Sequence, residues 1–309
     1  VTLRRAIKDV FGQDRLPDFD IENSHYLLSF GADFLSTWLS PVKYARAYGE
    51  FRQGAGKRGV HVQVDSRFSM TAASADEWVP IKPGGEGILA MSMIYVIIMD
   101  DLGDRGVASL LTGGGGHQAL DAFRPDSAEV HDATGVSADR IRELAHSFAS
   151  PRNQPSLAIG GGSAGAHTSG LFNLTAIYTL NLLVNNINKD GGVFFNPPPP
   201  LEDLATQDVL DMGVPASFQD WKNLDPADVL MVRGVNPVHG LPAGADFARV
   251  IKDDTFVVAF SSFMDETAEK ANLVLPEHTY LEDWGDDVPD PGPRYETVGI
   301  QQPVVRPFH

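Results

Sequence analysis

The feature that most constrains this chain is a device repeated about six times along it. A short apolar run stops abruptly in small or polar residues, and a helix-length segment follows. The clearest copies are Val229–Val232, Thr255–Phe260 and Leu273–Leu275, which stop at Gly234–Asn236, Ser261–Ser262 and Pro276–Glu277. Tyr26–Phe30, Val60–Val64 and Ser156–Ile159 behave in the same way, ending in Gly31–Asp33, Asp65-Ser66-Arg67 and a run of three glycines. Apolar runs too short for helices, alternating with helical patterns, predict parallel strands joined by crossover helices. The expected fold is therefore α/β, with mainly parallel sheets in two Rossmann-like lobes. In such sheets the loops at the carboxyl ends of the strands form the ligand crevice.

Helical spacing predicts helices over Leu3–Phe11, Val42–Phe51, Ile88–Met99, Ala138–Ala149 behind the N-cap Ser137, and Leu171–Ile187. The aromatic residues at 44, 48 and 51 form a core stripe. Residues 113–116 read as a glycine-rich loop, and Asp208–Asp225 is weakly patterned. Pro151–Pro155 marks the expected boundary between a first lobe, 1–150, and a second, 151–282. Residues 283–309 read as an irregular, proline-rich tail with little to pack on. The chain opens in a helix already under way and closes without a final element, as expected of a segment of a longer polypeptide.

A formal net charge of -17 disfavours a nucleic-acid or anionic-membrane surface. The absence of cysteine excludes disulfides, thiolate nucleophiles and Cys-held iron–sulfur clusters from these residues. No apolar run approaches the roughly 18 residues of a membrane span. His117, His167, His239 and His278 lie in loops without metal-ligand spacing, so no metal site is expected.

Three constellations are candidates for binding. Gly160–Gly165, between a strand and a helix, has the composition of a turn that lets backbone amides approach a phosphate. Asp65 and Arg67 end a strand, where a carboxylate accepts N–H or ribose donors and a guanidinium holds phosphate; Pro83–Glu86 follows them. Asp265-Glu266-Thr267 suits capping of the next helix. The turn also satisfies the G-x-S-x-G pattern at Ser163. That pattern admits an α/β-hydrolase reading, with Asp265 and His278 as partners.

Taken in order, VDSRFSMTAASADEWVPIKPG, GGGSAG with its long helix and NNINKDGG, VRGVNPVHGLP, and FSSFMDETAEKANLVLPEHTYLEDWG resemble the molybdopterin oxidoreductase family. The likeness covers roughly residues 26–305. The fuller wording resembles above all the B subunits of alternative complex III, and is also similar to polysulfide-reductase-like subunits. It implies two Rossmann-like lobes, as in domains II and III of that family. It also places Asp65 and Arg67 at a nucleotide-binding loop, Glu86 at the acidic position after a Pro-Gly turn, Gly160 and Gly162 at the glycine turn, and Asn236 at a GxNP loop. Ser261 and Asp265 fall at strand ends in the same half of the fold. Where the family has DPR, PGTD and ADVVLP, this chain has DSR, PGGE and ANLVLP. No residue is assigned a catalytic role. The resemblance implies a subunit on the periplasmic face of a membrane, bound through partners: an iron–sulfur domain or subunit, a membrane-embedded quinone-reactive subunit and haem c subunits. In its alternative complex III form the segment holds no cofactor and surrounds an electron-transfer chain. In its polysulfide-reductase form it binds molybdopterin guanine dinucleotide.

Overall fold

The computed structural model describes residues 1–53, 56–198, 227–241, 247, 251 and 254–307. The strands are β1 (Asp18–Phe19), β2 (Tyr26–Phe30), β3 (Val60–Asp65), β4 (Glu77–Pro80), β5 (Ser156–Gly160), β6 (Val193–Phe194), β7 (Val229–Arg233), β8 (Phe256–Phe260), β9 (Leu273–Leu275), β10 (Gly285–Asp287) and β11 (Gly299–Gln301). The helices are α1 (Thr2–Phe11), α2 (Pro41–Gln53), α3 (Met70–Ser74), α4 (Glu86–Met99), α5 (Arg105–Leu111), α6 (Ala128–Thr134), α7 (Ala138–Ala149), α8 (Ser163–Ala166), α9 (Gly170–Leu183) and α10 (Pro237–Gly240). Two compact units result: Val1–Pro200 with Pro289–Thr297, and Leu201–Val288 with Val298–His309.

The first unit is built on a four-stranded parallel sheet of order β4-β3-β2-β5. Every residue of β2 and β5 is buried, as parallel strands covered on both faces require. Counted along the sheet's own strands the order is 3-2-1-4, so the direction of winding reverses between β2 and β5. Helices α4 and α9 pack on each other and α1 packs on α9. Both α4 and α9 are apolar nearly all round because both are core helices. Ser69, Asp104, Ser127 and Ser137 each accept a backbone N–H and so start their helices.

The second unit carries the parallel sheet β7-β8-β9. Val257 and Ala259 point into its covered face, while Val229, Met231, Phe256, Leu273 and Leu275 on the other face are exposed.

The boundary expected at residue 151 does not follow the packing. β5 pairs with β2 along its whole length, Leu28 opposite Ala158, so the chain beyond 151 completes the first sheet rather than beginning a second lobe. The tail also departs from expectation. β10 pairs antiparallel with β11, and the loop between them belongs to the first unit. There Arg294 bonds the buried Asp18 and Asp20 and lies 4.1 Å over the Phe194 ring. Asp290 accepts from Leu16 N and pairs with Arg4. The helix expected to reach Ile187 ends at Leu183, where Asn185 takes a positive φ of 52°. The stretch around the 113–116 glycines is more helical than expected, with α5, a 3-10 segment over Gly116–Phe123, and α6. Asp208–Asp225 lies outside the described residues.

Candidate functional site

The reversal between β2 and β5 brings the carboxyl ends of three strands together, and the sequence candidates of the first unit gather there. β3 ends at Asp65, which is buried. Its Oδ1 accepts the Arg67 backbone N–H at 3.2 Å and the Ser163 hydroxyl at 3.4 Å; its Oδ2 accepts Gln63 Nε2 at 3.4 Å. The Asp65 carbonyl takes the Trp78 indole N–H at 3.0 Å. The Arg67 guanidinium stays 73% exposed and reaches Asp33, at the end of β2, at 3.3 Å. Asp33 is held in turn by the Thr71 hydroxyl.

Behind Asp65 runs a polar stripe that the sequence reading missed. His61, Gln63 and Asp65 alternate along β3, so their side chains share one face of the sheet, and all three are buried. His61 Nε2 lies 3.2 Å from Gln63 Oε1, and Nδ1 lies 3.2 Å from the Tyr48 hydroxyl. Gln63 donates through Nε2 to Asp65, which leaves Oε1 as acceptor and assigns the imidazole proton to His61 Nε2. Burial pushes the His61 pKa down to about 4, against the raising effect of the Gln63 bond.

The glycine turn packs against protein. A methyl group on Gly162, whose φ is 51°, would overlap the Gly31 carbonyl oxygen. One on Gly31, φ 62°, would meet Ala164 N at 2.8 Å, and one on Gly161 would meet the Trp38 indole. The amides of Gly161, Ala164 and Gly165 already donate to Phe30 O, Gly161 O and Gly162 O. Gly160 accepts the Tyr178 hydroxyl at 2.5 Å through its carbonyl.

Glu86 opens α4 and is fully buried. Asn173 of α9 clasps this helix start: its Nδ2 donates to Glu86 Oε2 at 3.3 Å and to Ala164 O at 3.0 Å, while its Oδ1 accepts Gly87 N at 3.1 Å. Glu86 Oε1 has no hydrogen-bond partner. Burial raises the Glu86 pKa, opposed by the backbone of residues 84 and 86 and by His167, and reinforced by Asp65.

The second-unit candidates form turns. Asn236 Oδ1 accepts His239 N at 3.3 Å and the Thr267 hydroxyl at 2.7 Å, and its Nδ2 donates to Glu266 at 2.7 Å. Asp265 Oδ1 accepts Thr267 N and Ala268 N at 3.0 and 2.8 Å, the capping role expected for it. The Ser261 hydroxyl donates to Phe263 O and accepts Phe263 N. The Ser163 hydroxyl bonds Asp65 rather than an imidazole, which leaves the hydrolase reading without its base. Among the described residues no group of three or more His, Asp or Glu is placed to hold a metal. No helix among them is long and apolar enough to cross a membrane.

The molybdopterin oxidoreductase family model matches residues 6–307. The chain belongs to the molybdopterin oxidoreductase family. Among curated members, the menaquinone reductase molybdopterin-binding-like subunit of Nitratidesulfovibrio vulgaris is 30% identical over 97% of this chain and 43% of its own length. The thiosulfate reductase molybdopterin-containing subunit of Salmonella typhimurium is 26% identical over 98% and 43%. The acetylene hydratase of Pelobacter acetylenicus superposes with a TM-score of 0.75 at 18% identity, over 99% of this chain and 47% of its own, and so shares the fold. The chain thus spans less than half the length of these relatives.

The family's pterin dinucleotide tests the crevice. A dinucleotide brings a pyrophosphate, and the residues here do not fit one. Asp65 and Glu86 are two buried carboxylates close enough for Asp65 to raise the Glu86 pKa, and the Arg67 cation is already engaged by a third carboxylate, Asp33. The space that the glycines' missing side chains leave is filled by Gly31, Trp38 and Ala164. Glu86 is sealed away from any base edge that would bond it.

Proposed function

We propose that this chain is a structural region of the molybdopterin-oxidoreductase-like subunit of a membrane-bound quinol:electron-acceptor oxidoreductase of the alternative complex III type, with a crevice that no longer holds a cofactor. The observation that carries this reading is the closely packed glycine turn, in which Gly31 O stands where a Gly162 side chain would begin, and Ser163, Ala164 N and Gly161 O stand where a Gly31 side chain would begin. The match over nearly the whole chain to a subunit named molybdopterin-binding-like, from a menaquinone reductase, points the same way. On this reading no residue here is catalytic. Iron–sulfur clusters sit in adjoining domains or subunits, and a membrane-embedded quinone-reactive subunit and haem c subunits complete an assembly on the periplasmic face. Asp65, Arg67, Glu86, Gly160, Gly162, Asn236, Ser261 and Asp265 then keep family positions while serving the fold.

A second reading has one observation in its favour. The unpartnered Glu86 Oε1 is a buried acceptor without a donor, and thiosulfate reductase is among the relatives named molybdopterin-containing. In an active polysulfide-reductase-type subunit, a rearranged crevice would give that oxygen a purine N–H. Molybdenum and pterin content of the intact complex, purified from molybdate-replete cells, separates the two. The structural reading expects only trace metal and no pterin. Stoichiometric molybdenum with dinucleotide would overturn it.

A further inference from the structure

Among the described residues the first unit's sheet ends at β5, and the outer edge of a last strand is a template for pairing with another. Successive residues of a strand in a parallel sheet turn their backbone groups to opposite edges. Ser156, Ala158 and Gly160 turn theirs away from β2, and side chains meet them. Asn181 Oδ1 accepts Ala158 N at 2.9 Å, and its Nδ2 donates to Ala158 O at 2.9 Å. Asn186 Nδ2 donates to Ser156 O at 2.6 Å, and Gln154 Oε1 accepts Ser156 N at 3.2 Å. The Tyr178 hydroxyl donates to Gly160 O at 2.5 Å. Asn181 thus makes with Ala158 the two bonds that the residue opposite makes in an antiparallel pair.

This arrangement costs the helix something. Asn181 is fully buried in α9, which is apolar nearly all round. Asparagine is a weaker helix former than leucine, and a buried amide destabilises the fold unless its hydrogen bonds are made. Both polar atoms of Asn181 turn to β5, and Nδ2 makes a longer bond of 3.4 Å to Tyr178 O. Asn173, eight residues earlier, holds Ala164 O at 3.0 Å, so one helix steadies both β5 and the turn that follows it.

We propose that α9 takes the place of a further strand beside β5, with Asn181 as the residue that completes the ladder. The first unit's sheet is then finished at β5. No segment pairs with it there, be it a further part of the polypeptide, a partner subunit or a second copy of the chain. The bonds that close this edge all lie within the described residues, whatever covers the outer faces. Molybdenum content bears on the preceding section and not on this edge, so the two fail separately.

Residue-resolved hydrogen exchange on the full-length subunit tests it, with Asn181→Leu as the variant. In the parent, the Ala158 amide should be as protected as those of Leu157 and Ile159. In Asn181→Leu it should exchange about tenfold faster or more relative to those two, because a buried backbone group that loses its partner is costly. Leucine is the more apolar residue and the better helix former, so a side chain that only fills space would make the variant at least as stable as the parent. A ladder partner predicts the reverse, a folding equilibrium constant lower by about tenfold or more in urea. Unchanged relative exchange at Ala158, or a variant as stable as the parent, would overturn the proposal. If the variant does not fold, a density map of the intact assembly decides. It should show α9 side chains against the outer edge of β5, and a strand lying about 4.8 Å beyond β5 would overturn the proposal.

Discussion

The close packing of the glycine turn makes a quantitative demand on Gly162→Ala. Two costs add at that position. The backbone holds φ 51° and ψ -118°, a conformation that costs an L residue on the order of 1–3 kcal/mol. The new methyl would also overlap Gly31 O, which is backbone and cannot swing aside; overpacking of this kind costs about 1–3 kcal/mol. The sum is about 2–6 kcal/mol, enough to lower a folding equilibrium constant about thirtyfold or more, since about 1.4 kcal/mol is a factor of ten. Gly113→Ala is the control. Gly113 also has a positive φ, 57°, but nothing lies within 4 Å of its added methyl, so only the left-handed backbone cost of about 1–2 kcal/mol remains. Urea unfolding of the full-length subunit, followed by tryptophan fluorescence, compares the two. If Gly162→Ala costs no more than Gly113→Ala within about 0.5 kcal/mol, the turn is not packed on β2. The crevice is then open, and the argument against a bound dinucleotide collapses.

Two further outcomes follow from the buried charges. His61, ordinarily near 6.5 but held at about 4 by burial, is neutral in the fold. The unfolded chain therefore takes up the proton first as pH falls, and stability present above 6.5 is lost between there and 4; at about 1.36 kcal/mol per pH unit the loss is about 3 kcal/mol. Urea midpoints across that window should slope accordingly, and His61→Gln should flatten the slope whatever its overall stability; an unchanged slope refutes the assignment. Arg294→Ala strands the buried Asp18 and Asp20, although Lys43 still reaches Asp18. Breaking such a pair costs about 3–5 kcal/mol. Thermal melting should show it, and a shift no larger than that of the exposed Arg124→Ala would mean that the 289–297 loop does not clasp the first unit.

The strand ends were legible in the sequence because each strand is a continuous apolar run cut off by small residues, and a parallel sheet buried on both faces needs that pattern. The lobe boundary was not. Pro151–Pro155 has the composition of a linker, but whether the strand after it starts a new sheet or joins the old one depends on pairing with Tyr26–Phe30, a long-range fact that local composition does not carry. The same holds for the tail. Its prolines predict irregular backbone, while its place is set by Arg294 finding Asp18 and Asp20, more than 270 residues away in sequence. Candidates such as Asp65 and Ser261 were chosen for their strand-end positions and Glu86 and Asn236 through the family resemblance, but what each bonds was hidden. One missed signal stood in plain view: His61, Gln63 and Asp65 at period two in a strand that otherwise reads Val60, Val62 and Val64. A polar face on a strand buried on both sides costs stability unless every member is satisfied. Here internal bonds link His61 through Gln63 to Asp65, while the Tyr48 hydroxyl beside His61 Nδ1 donates its proton to Ser74 O. A stripe that ends at a crevice but takes all of these partners from the protein orients Asp65 without needing a ligand. Asp65 thus keeps its place at the strand end through bonds made within the chain, whereas Glu86 Oε1 is left without a partner.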